Sequence, residues 1–152
     1  MTTKLRKEQI QNPYKARAYR NTTNQSIATS TDTKVQFNAE SYDTNSNFDS
    51  STNYRYTVPV TGYYQINCII SFATNGTGLR RVDIKKNGTS PSIMAAVDNA
   101  NAASFKSVSV GGCVFLTAGD YIETIARQES GGNLDIIAAE YISFLDIHLL
   151  SI

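Results

Sequence analysis

Residues 53–72, NYRYTVPVTGYYQINCIISF, decide the fold class of this chain. A Pro-Val-Thr-Gly hinge divides the stretch into two runs rich in aromatic and β-branched residues, and the second run alternates strictly. One face of this predicted strand carries Tyr64, Ile66, Cys68, Ile70 and Phe72. The other face is not uniformly polar, because Tyr63 and Ile69 stand among its polar residues. The alternation predicts a β-strand with one face in a core, and the second apolar set favours contact with a partner subunit.

The composition favours one β-rich domain. The chain has 152 residues, of which 41% are apolar and 18% charged, and it contains nine Tyr, six Phe and no Trp. These proportions are typical of a folded domain with a real core. Strand-like runs recur at roughly 8–12-residue spacing between turn signals, without a convincing helix. We therefore predict an all-β antiparallel sandwich or barrel of about eight to ten strands.

Several segments carry specific predictions. Residues 16–21 form a first strand, and residues 33–40 form a strand with Val35 and Phe37 on one face. Residues 41–53 are polar and turn-rich, which predicts a long loop with a short strand near its Phe. Residues 92–106 are Ala-rich, and we interpret them as strand, loop and strand.

The last twelve residues, YISFLDIHLLSI, are apolar on both predicted faces. One face carries Tyr141, Leu145, Ile147 and Leu149, with Ser143 among them. The other carries Ile142, Phe144, Leu150 and Ile152, interrupted by Asp146 and His148. Such two-sided character predicts a central strand covered on both faces. We interpret the single His of the chain as a hydrogen-bonded structural residue rather than a ligand.

Neither a membrane span nor a secretory signal is predicted. No apolar run approaches the roughly 20 residues that cross a bilayer, and the first residues, MTTKLRKEQIQNPY, lack the apolar stretch of a signal peptide. We therefore expect synthesis in a cytoplasm, no membrane insertion, and release by another route.

Charge is distributed unevenly along the chain. Residues 1–20 carry six basic residues against one acidic residue, whereas the other 132 carry eight basic against twelve acidic. Residues 1–14 have too few apolar groups for a core and are predicted to be an appended leader, with the folded domain at 15–152. A basic leader is compatible with three roles: binding nucleic acid, binding an acidic protein surface, or exposure to solvent without a partner. The body lacks a basic stripe with interleaved aromatic residues, which makes nucleic acid the weakest of the three.

Both cysteines lie in strand-like apolar stretches. Without a secretory signal, Cys68 and Cys113 are predicted to be buried free thiols rather than a disulfide. Two isolated cysteines and one distant His148 do not form a zinc pattern.

No pattern of catalytic residues stands out. The sequence contains no Gly-x-Ser-x-Gly, His-Glu-x-x-His or phosphate-binding Gly-rich motif. The Gly-Gly pair before Cys113 indicates a bulge or a close backbone approach more than a nucleophile, whose only possible partner is His148. Asp43, Asp49 and Asp98 lie in loops without the spacing of a calcium loop. We expect a protein that is not an enzyme and needs no metal or cofactor.

Four ordered motifs resemble those of one family. An aromatic residue, an acid and a second aromatic residue, with five and four residues between them, are Phe37, Asp43 and Phe48. The pattern aromatic, five residues, Gly-x-Tyr-x-apolar-x-apolar is met by Tyr56, Gly62, Tyr64, Ile66 and Cys68. A Leu-x-x-Gly-Asp-x-apolar strand is met by Leu116, Gly119, Asp120 and Ile122. The closing Ser-Phe motif contains Phe144.

Together these motifs resemble the globular head of complement component C-one-q, whose fold is shared with tumour necrosis factor. The resemblance covers about residues 16–152. It departs from the family pattern at Cys68, where an aromatic residue is usual, at Asp146, where Gly is common, and in a loop after Phe48 that is one residue longer. The resemblance implies an antiparallel jelly-roll sandwich of about ten strands that assembles as a homotrimer, with the motif residues in the core or at trimer contacts.

The amino-acid sequences of three segments are most similar to those of family members in bacteriophage tail fibres, head fibres and related virion appendages. These segments read ARAYRNTTNQSI, FNAESYDTNSNFD and YRYTVPVTGYYQ. The resemblance implies a virion protein that binds a host surface carbohydrate or protein. Because the leader is strongly basic and too poor in apolar groups to fold alone, we hypothesise that it attaches the protein to another virion protein through Lys4, Arg6 and Lys7. The alternative is a bacterial C-one-q-like adhesion or extracellular matrix module, located outside the cell or on its surface.

Overall fold

The computed structural model describes residues 14–152, and within this range the chain forms thirteen β-strands and no helix. The strands are β1 (Lys15–Tyr19), β2 (Gln25–Ile27), β3 (Thr33–Lys34), β4 (Ala39–Asp43), β5 (Phe48–Asp49), β6 (Arg55–Thr57), β7 (Gly62–Phe72), β8 (Asn75–Lys86), β9 (Met94–Asn101), β10 (Lys106–Leu116), β11 (Tyr121–Gln128), β12 (Leu134–Ile136) and β13 (Phe144–Ser151). No helix in the described range is long and apolar enough to cross a membrane.

The strands form two antiparallel sheets. The first sheet has seven strands in the order β2-β12-β7-β13-β1-β4, with β10 on the other side of β7. The second sheet has six strands in the order β5-β6-β11-β8-β9, and β3 pairs with β11. Strands that are neighbours in a sheet are mostly distant in sequence, as in a jelly roll. The predicted fold class is therefore confirmed.

The core lies between the two sheets and follows the alternation seen in the sequence. From β7 of the first sheet it receives Tyr64, Ile66, Cys68, Ile70 and Phe72, all at most 1% exposed. From the second sheet it receives Tyr56, Val82, Ile84, Ile122 and Ala126, all fully buried. The Sγ atom of Cys68 lies 3.7 Å from Oγ1 of Thr124 on β11, so the two sheets meet at the middle of these strands.

The strand predictions at residues 33–53 were partly wrong. Of the predicted strand at residues 33–40, only Thr33–Lys34 and the two residues that begin β4, Ala39 and Glu40, pair in a sheet, although Val35 and Phe37 are buried as expected. Their burial does not need a full ladder, because the backbone amide of Val35 donates to the carbonyl of Thr124 at 2.9 Å. Ala39–Asp43, half of which was predicted to be loop, is the strand β4. The strand, loop and strand predicted at residues 92–106 are confirmed by β9 and β10.

The last strand is central, as predicted, since β13 lies between β1 and β7. Leu145, Ile147 and Leu149 face the core. Tyr141, assigned to the same face from the sequence, precedes the strand and is 77% exposed. The assignment was wrong because residues 140–142 form a turn, in which the alternation of side chains no longer holds.

The boundary predicted at residue 15 coincides with the first residue of β1. The predicted leader lies outside the described residues except for Tyr14, whose carbonyl accepts a hydrogen bond from the amide of Leu149 at 3.0 Å. The division into leader and domain stays a prediction.

Candidate functional site

The outer face of the first sheet carries the apolar residues that the sequence predicted on the second face of the strand at residues 63–72. Its side chains form rows across β1, β13, β7 and β10, because the register is regular along most of their length. We call this surface the outer face. Its rows are of two kinds, apolar at one end of the strands and polar in the middle.

The apolar row lies at the Gly62 end of β7. The rings of Tyr63 and Phe115, which are register partners, meet edge to face with centroids 5.2 Å apart. Leu150 precedes the register partner of Tyr63 on β13. These three residues, the apolar patch, are each more than half exposed. Aromatic and aliphatic groups that stand together in water are typical of protein–protein contacts.

The polar row crosses the middle of the sheet through Tyr42, Arg17, Asp146, Asn67 and Gly111. The Arg17 Nη1 atom donates to Oδ2 of Asp146 at 2.9 Å. The hydroxyl of Tyr42 lies 3.4 Å from the other carboxylate oxygen. Burial, and after it the charge of Asp146, raises the pKa of Tyr42 above its ordinary value. The phenol therefore stays neutral and can act as a hydrogen-bond donor.

His148 joins this row from the neighbouring one. Its Nε2 atom lies 2.9 Å from the hydroxyl of Tyr42, and the two rings stack at an interplanar angle of 24°. The prediction of a hydrogen-bonded structural His is confirmed. A catalytic pair of His148 and Cys113 is excluded by register, because Gln65 stands between them. β13 and β10 lie on either side of β7, two strand spacings of about 4.8 Å apart, which is too far for a hydrogen bond between His148 and Cys113.

A depression of about 310 Å³ lies between β13, β7 and β10 on this face. Phe144 and Ile69 contribute apolar walls, and Asp146, Asn67 and Ser109 contribute polar groups. The guanidinium of Arg17 lies over the Phe144 ring, which lines the depression, and its carbon is 3.8 Å from the ring centroid.

Gly111 explains why the depression is open. A Cβ at this position would come within 2.7 Å of Oδ1 of Asn67 and 3.0 Å of the carbonyl of Ile66. A larger residue would require the Asn67 side chain to move and would crowd the carbonyl of Ile66, so the close backbone approach predicted for the Gly-Gly pair is found at Gly111, and the ladder has no bulge there.

Both sheets end on the same side in strands without a further partner. Within the described range β10 pairs only with β7, and β9 pairs only with β8. Small residues follow this edge, among them Ala95, Ser109 and Gly111, and Val97 is 57% exposed. A long strand edge with few charges invites pairing or packing with another chain.

The motif residues of the sequence lie mostly in the core, away from the outer face. Those that are buried are Phe37, Phe48, Tyr56, Gly62, Tyr64, Ile66, Leu116 and Phe144. Phe37 meets Phe48 and Tyr56 meets Tyr64 edge to face, with centroids 6.4 Å apart in both pairs. These residues hold the sheets together. Phe144 is the exception, because it faces the depression.

The motif acids are turn-forming residues. The carboxylate of Asp43 accepts the amide of Phe48 at 2.7 Å and so closes the loop before β5. That of Asp120 accepts the amide of Thr117 at 2.9 Å and Nδ2 of Asn87 at 2.7 Å. Burial opposes the ionised form of Asp120, but these bonds and Lys86 lower its pKa below the ordinary value. Gly119 has a φ of +92°, a conformation that favours glycine in this turn.

The cysteine prediction was half right. Both thiols are free, and Cys68 is buried. Cys113 is exposed, because alternation along β10 turns Val114 and Leu116 inward and Cys113 outward, beside Phe115. The apolar run around Cys113 concealed this, since it has hydrophobic residues on both faces.

No cluster of acids, His and Cys in residues 14–152 could hold a metal ion. Asp49 is occupied by the amides of Ser51 at 3.0 Å and Thr52 at 2.9 Å, which lower its pKa, and Asp98 pairs with Lys106. The predicted attachment residues Lys4, Arg6 and Lys7 lie outside the described residues.

Sequence reasoning missed one group. Arg80 is completely buried, and its guanidinium donates only to oxygen atoms of the first residues of its own strand β8, at Asn75, Thr77 and Leu79. The inward positions of Val82 and Ile84 were the available signal, because Arg80 shares their face.

Comparison with known proteins supports the fold and nothing finer. No family model and no curated protein sequence matches the chain. Among solved structures, Eiger TNF from S. frugiperda superposes with a TM-score of 0.71 at 12% identity, covering 91% of this chain and 92% of that one. Murine APRIL gives 0.69 at 17% identity, with coverages of 90% and 98%. The globular domain of the zebrafish complement 1qA protein gives 0.64 at 19% identity, with coverages of 90% and 97%. At these identities the likeness establishes a shared jelly-roll fold.

Proposed function

We propose that the chain is a non-enzymatic binding module that works as a homotrimer, with the outer face covered by neighbouring subunits. The observation that carries the proposal is the apolar patch of Tyr63, Phe115 and Leu150, exposed on a sheet whose other face already lies on the core. The fold shared with tumour necrosis factor-like and C-one-q-like structures supports it.

Two different surfaces are available for contact, which favours a ring. One is the outer face, and the other is the unpaired edge formed by β9 and β10. Packing the edge of one subunit on the outer face of the next is a heterologous contact, and such contacts give a cyclic oligomer when the rotation between subunits closes. The resemblance of the sequence to this family supports three as the number of subunits.

The polar row is suited to being covered. Arg17 is paired with Asp146, and Tyr42 bonds both Asp146 and His148, so the charges are matched inside one subunit. Burying them behind a neighbour leaves no isolated ion, which is the costly case.

The finer part of the proposal is a bacteriophage virion appendage, a tail or head fibre or decoration protein that binds a host surface component. This part rests on the similarity of the three sequence segments to phage members of the family, because the likeness to solved structures concerns the fold alone. Lys4, Arg6 and Lys7 would attach the protein to an acidic surface of another virion protein. Tyr14 is bonded to Leu149, so the leader joins the domain at the end that carries the apolar patch.

Particle fractionation tests this part. Phage particles carrying the gene are banded on a gradient and labelled with gold-coupled antibody, and label at one fixed position on the virion is expected. Label restricted to cell surfaces favours the bacterial adhesion module instead. Complementation with protein lacking residues 1–13 is expected to give particles without the module, and normal copy number contradicts the role of the leader.

A further inference from the structure

We propose that the trimer is held together only while His148 is neutral, and that mild acid releases folded subunits by charging this residue. The inference rests on the proposed function, in which neighbouring subunits cover the outer face. His148 is the single His of the chain. Imidazole is the side chain whose ordinary titration lies between pH 5 and 8, so mild acid reaches the outer face through this residue.

His148 takes part in the polar network of the outer face as a neutral group. Ile147 and Leu149 on either side of it are buried in the core, so its ring points outward. The hydroxyl of Tyr42, which stays protonated, lies 2.9 Å from Nε2 of His148. A neutral imidazole accepts this hydrogen bond at Nε2, whereas a protonated imidazole has no acceptor left. Charging His148 therefore reverses a contact that joins β4 to β13.

The positively charged neighbours of His148 lie on β1. Lys15 is its register partner across the antiparallel pair, and Arg17 follows two residues later as the partner of Asp146. Because Ala16 is buried in the core, Lys15 and Arg17 both extend from the outer face. Like charges directly opposite each other are destabilising, and protonation of His148 places such a pair between β1 and β13.

The carboxylate of the polar row is already engaged. Asp146 precedes His148 by two residues on the same face, and its Oδ2 atom accepts Nη1 of Arg17 at 2.9 Å. Its Oδ1 atom lies 3.4 Å from the hydroxyl of Tyr42. Asp146 therefore cannot neutralise a charged imidazole without giving up part of its pairing with Arg17.

The remaining groups around His148 do not supply a second carboxylate. Those that face it from β7 and β10 are amides, a phenol and a thiol, which carry no charge in mild acid. They are Gln65, Asn67, Tyr63 and Cys113. On β4, Glu40 and Asp43 lie opposite core-facing residues of β1 and so outside the polar row. Of the groups in this part of the described chain, His148 is the one that mild acid charges.

The cost of the charged form depends on whether the outer face is covered. In a separate subunit water reaches the exposed Lys15 and screens it from a charged His148. Behind a neighbour, two cations against one carboxylate would become three against one, and a buried charge without a partner is costly. The separate subunit therefore takes up the proton more readily than the trimer does.

Linkage gives the sign and the size of the effect. Because protons bind the separate subunits more readily, the stability of the trimer is present at neutral pH and is lost as the pH falls through the ordinary range of imidazole. Three subunits take up one proton each. For an imidazole of ordinary titration, the trimer dissociation constant should then rise about a thousandfold between pH 7.5 and 5.5.

Sedimentation velocity on a dilution series of the full-length protein measures this constant at both pH values, with circular dichroism recorded on the same samples. The wild type is expected to dissociate at pH 5.5 with its β-sheet signal unchanged, and to reassemble when pH 7.5 is restored. His148→Gln, whose amide accepts from Tyr42 without carrying a charge, should keep one dissociation constant at both pH values. The control Lys86→Gln, on the second sheet, should dissociate as the wild type does.

Three results overturn the inference and leave the proposed trimer intact. They are a wild-type dissociation constant that does not change with pH, an equal change in His148→Gln, and loss of the β-sheet signal at pH 5.5. The mass of a single chain already at pH 7.5 contradicts the trimer and the inference together. Should His148→Gln fail to assemble, Lys15→Gln decides, because removal of the opposed cation should move dissociation to lower pH and an unchanged midpoint overturns the inference.

Discussion

The hydroxyl oxygen of Tyr42 on β4 lies 2.9 Å from Nε2 of His148 on β13, across the intervening strand β1. The same hydroxyl approaches Asp146, which is held by Arg17. Three strands of the outer face are therefore joined by a network that uses no group from outside the subunit. A network completed within each subunit can lie inside an interface without unpaired charges, and this property supports the assignment of the outer face.

Removing the hydroxyl tests the network. Tyr42→Phe should lower the free energy of unfolding by about 1 kcal/mol, the usual value of one hydrogen bond, and leave the oligomer intact. Urea titration at fixed protein concentration measures it. The control is Tyr121→Phe, because the Tyr121 ring stacks under Arg55 through its face. Equal effects of both substitutions would contradict the role of Tyr42.

Thiol labelling distinguishes the isolated subunit from the trimer. Cys113 is exposed in one subunit and adjoins Phe115, so a trimer that covers the outer face should protect it. Native protein treated with iodoacetamide should gain no label, and protein denatured without reductant should gain two. One rapid label on the native protein would show that the face is open.

Alkaline pH should destabilise the protein through Cys68. Burial raises the pKa of this thiol from 9.0 to about 12. The unfolded chain then releases the proton first, so the stability is present below about pH 9 and is lost as the pH rises towards 12. The loss should be about 1.4 kcal/mol per pH unit in this window. Urea midpoints at pH 8, 9 and 10 measure it, and Cys68→Ala should flatten the slope. If the stability of the Cys68→Ala variant falls with pH as steeply as that of the wild type, ionisation of Cys68 is not the cause.

Arg80 is expected to act locally. Arg80→Met removes the donors to residues 75–79 at the start of β8, so amide hydrogen exchange in this segment should rise by about tenfold or more, while β7 and β13 keep their protection. Arg127→Met removes only half-exposed pairs with Asp32 and Glu129 and should leave the exchange of residues 75–79 unchanged. Undisturbed exchange in the Arg80 variant would mean that this segment is held by other contacts.

The sequence is sufficient for the parts of the fold where side chains alternate without interruption. The faces of residues 62–70 were assigned correctly because every second residue is buried there, and the alternation of burial ends only at Ser71, which is buried as well. Tyr141 and Cys113 were misassigned for opposite reasons. At Tyr141 the alternation stops in a turn, and at Cys113 a run that is apolar on both faces hides the direction of each side chain.

The site is harder to predict than the fold because it depends on register. Tyr42, Arg17 and His148 come from three strands that are far apart in sequence, and only the pairing of β4, β1 and β13 brings them together. No local pattern encodes that proximity. The burial of Arg80 likewise depends on the path of the first residues of β8, whose carbonyls accept its hydrogen bonds.

The mass of the protein in solution tests the central claim most directly. Light scattering at neutral pH, in EDTA, should give three times the chain mass of 16.7 kDa. Phe115→Asp, which places a charge in the apolar patch, should give a folded monomer, whereas Thr57→Asp on the second sheet should remain trimeric. A wild-type protein with the mass of a single chain would contradict the account.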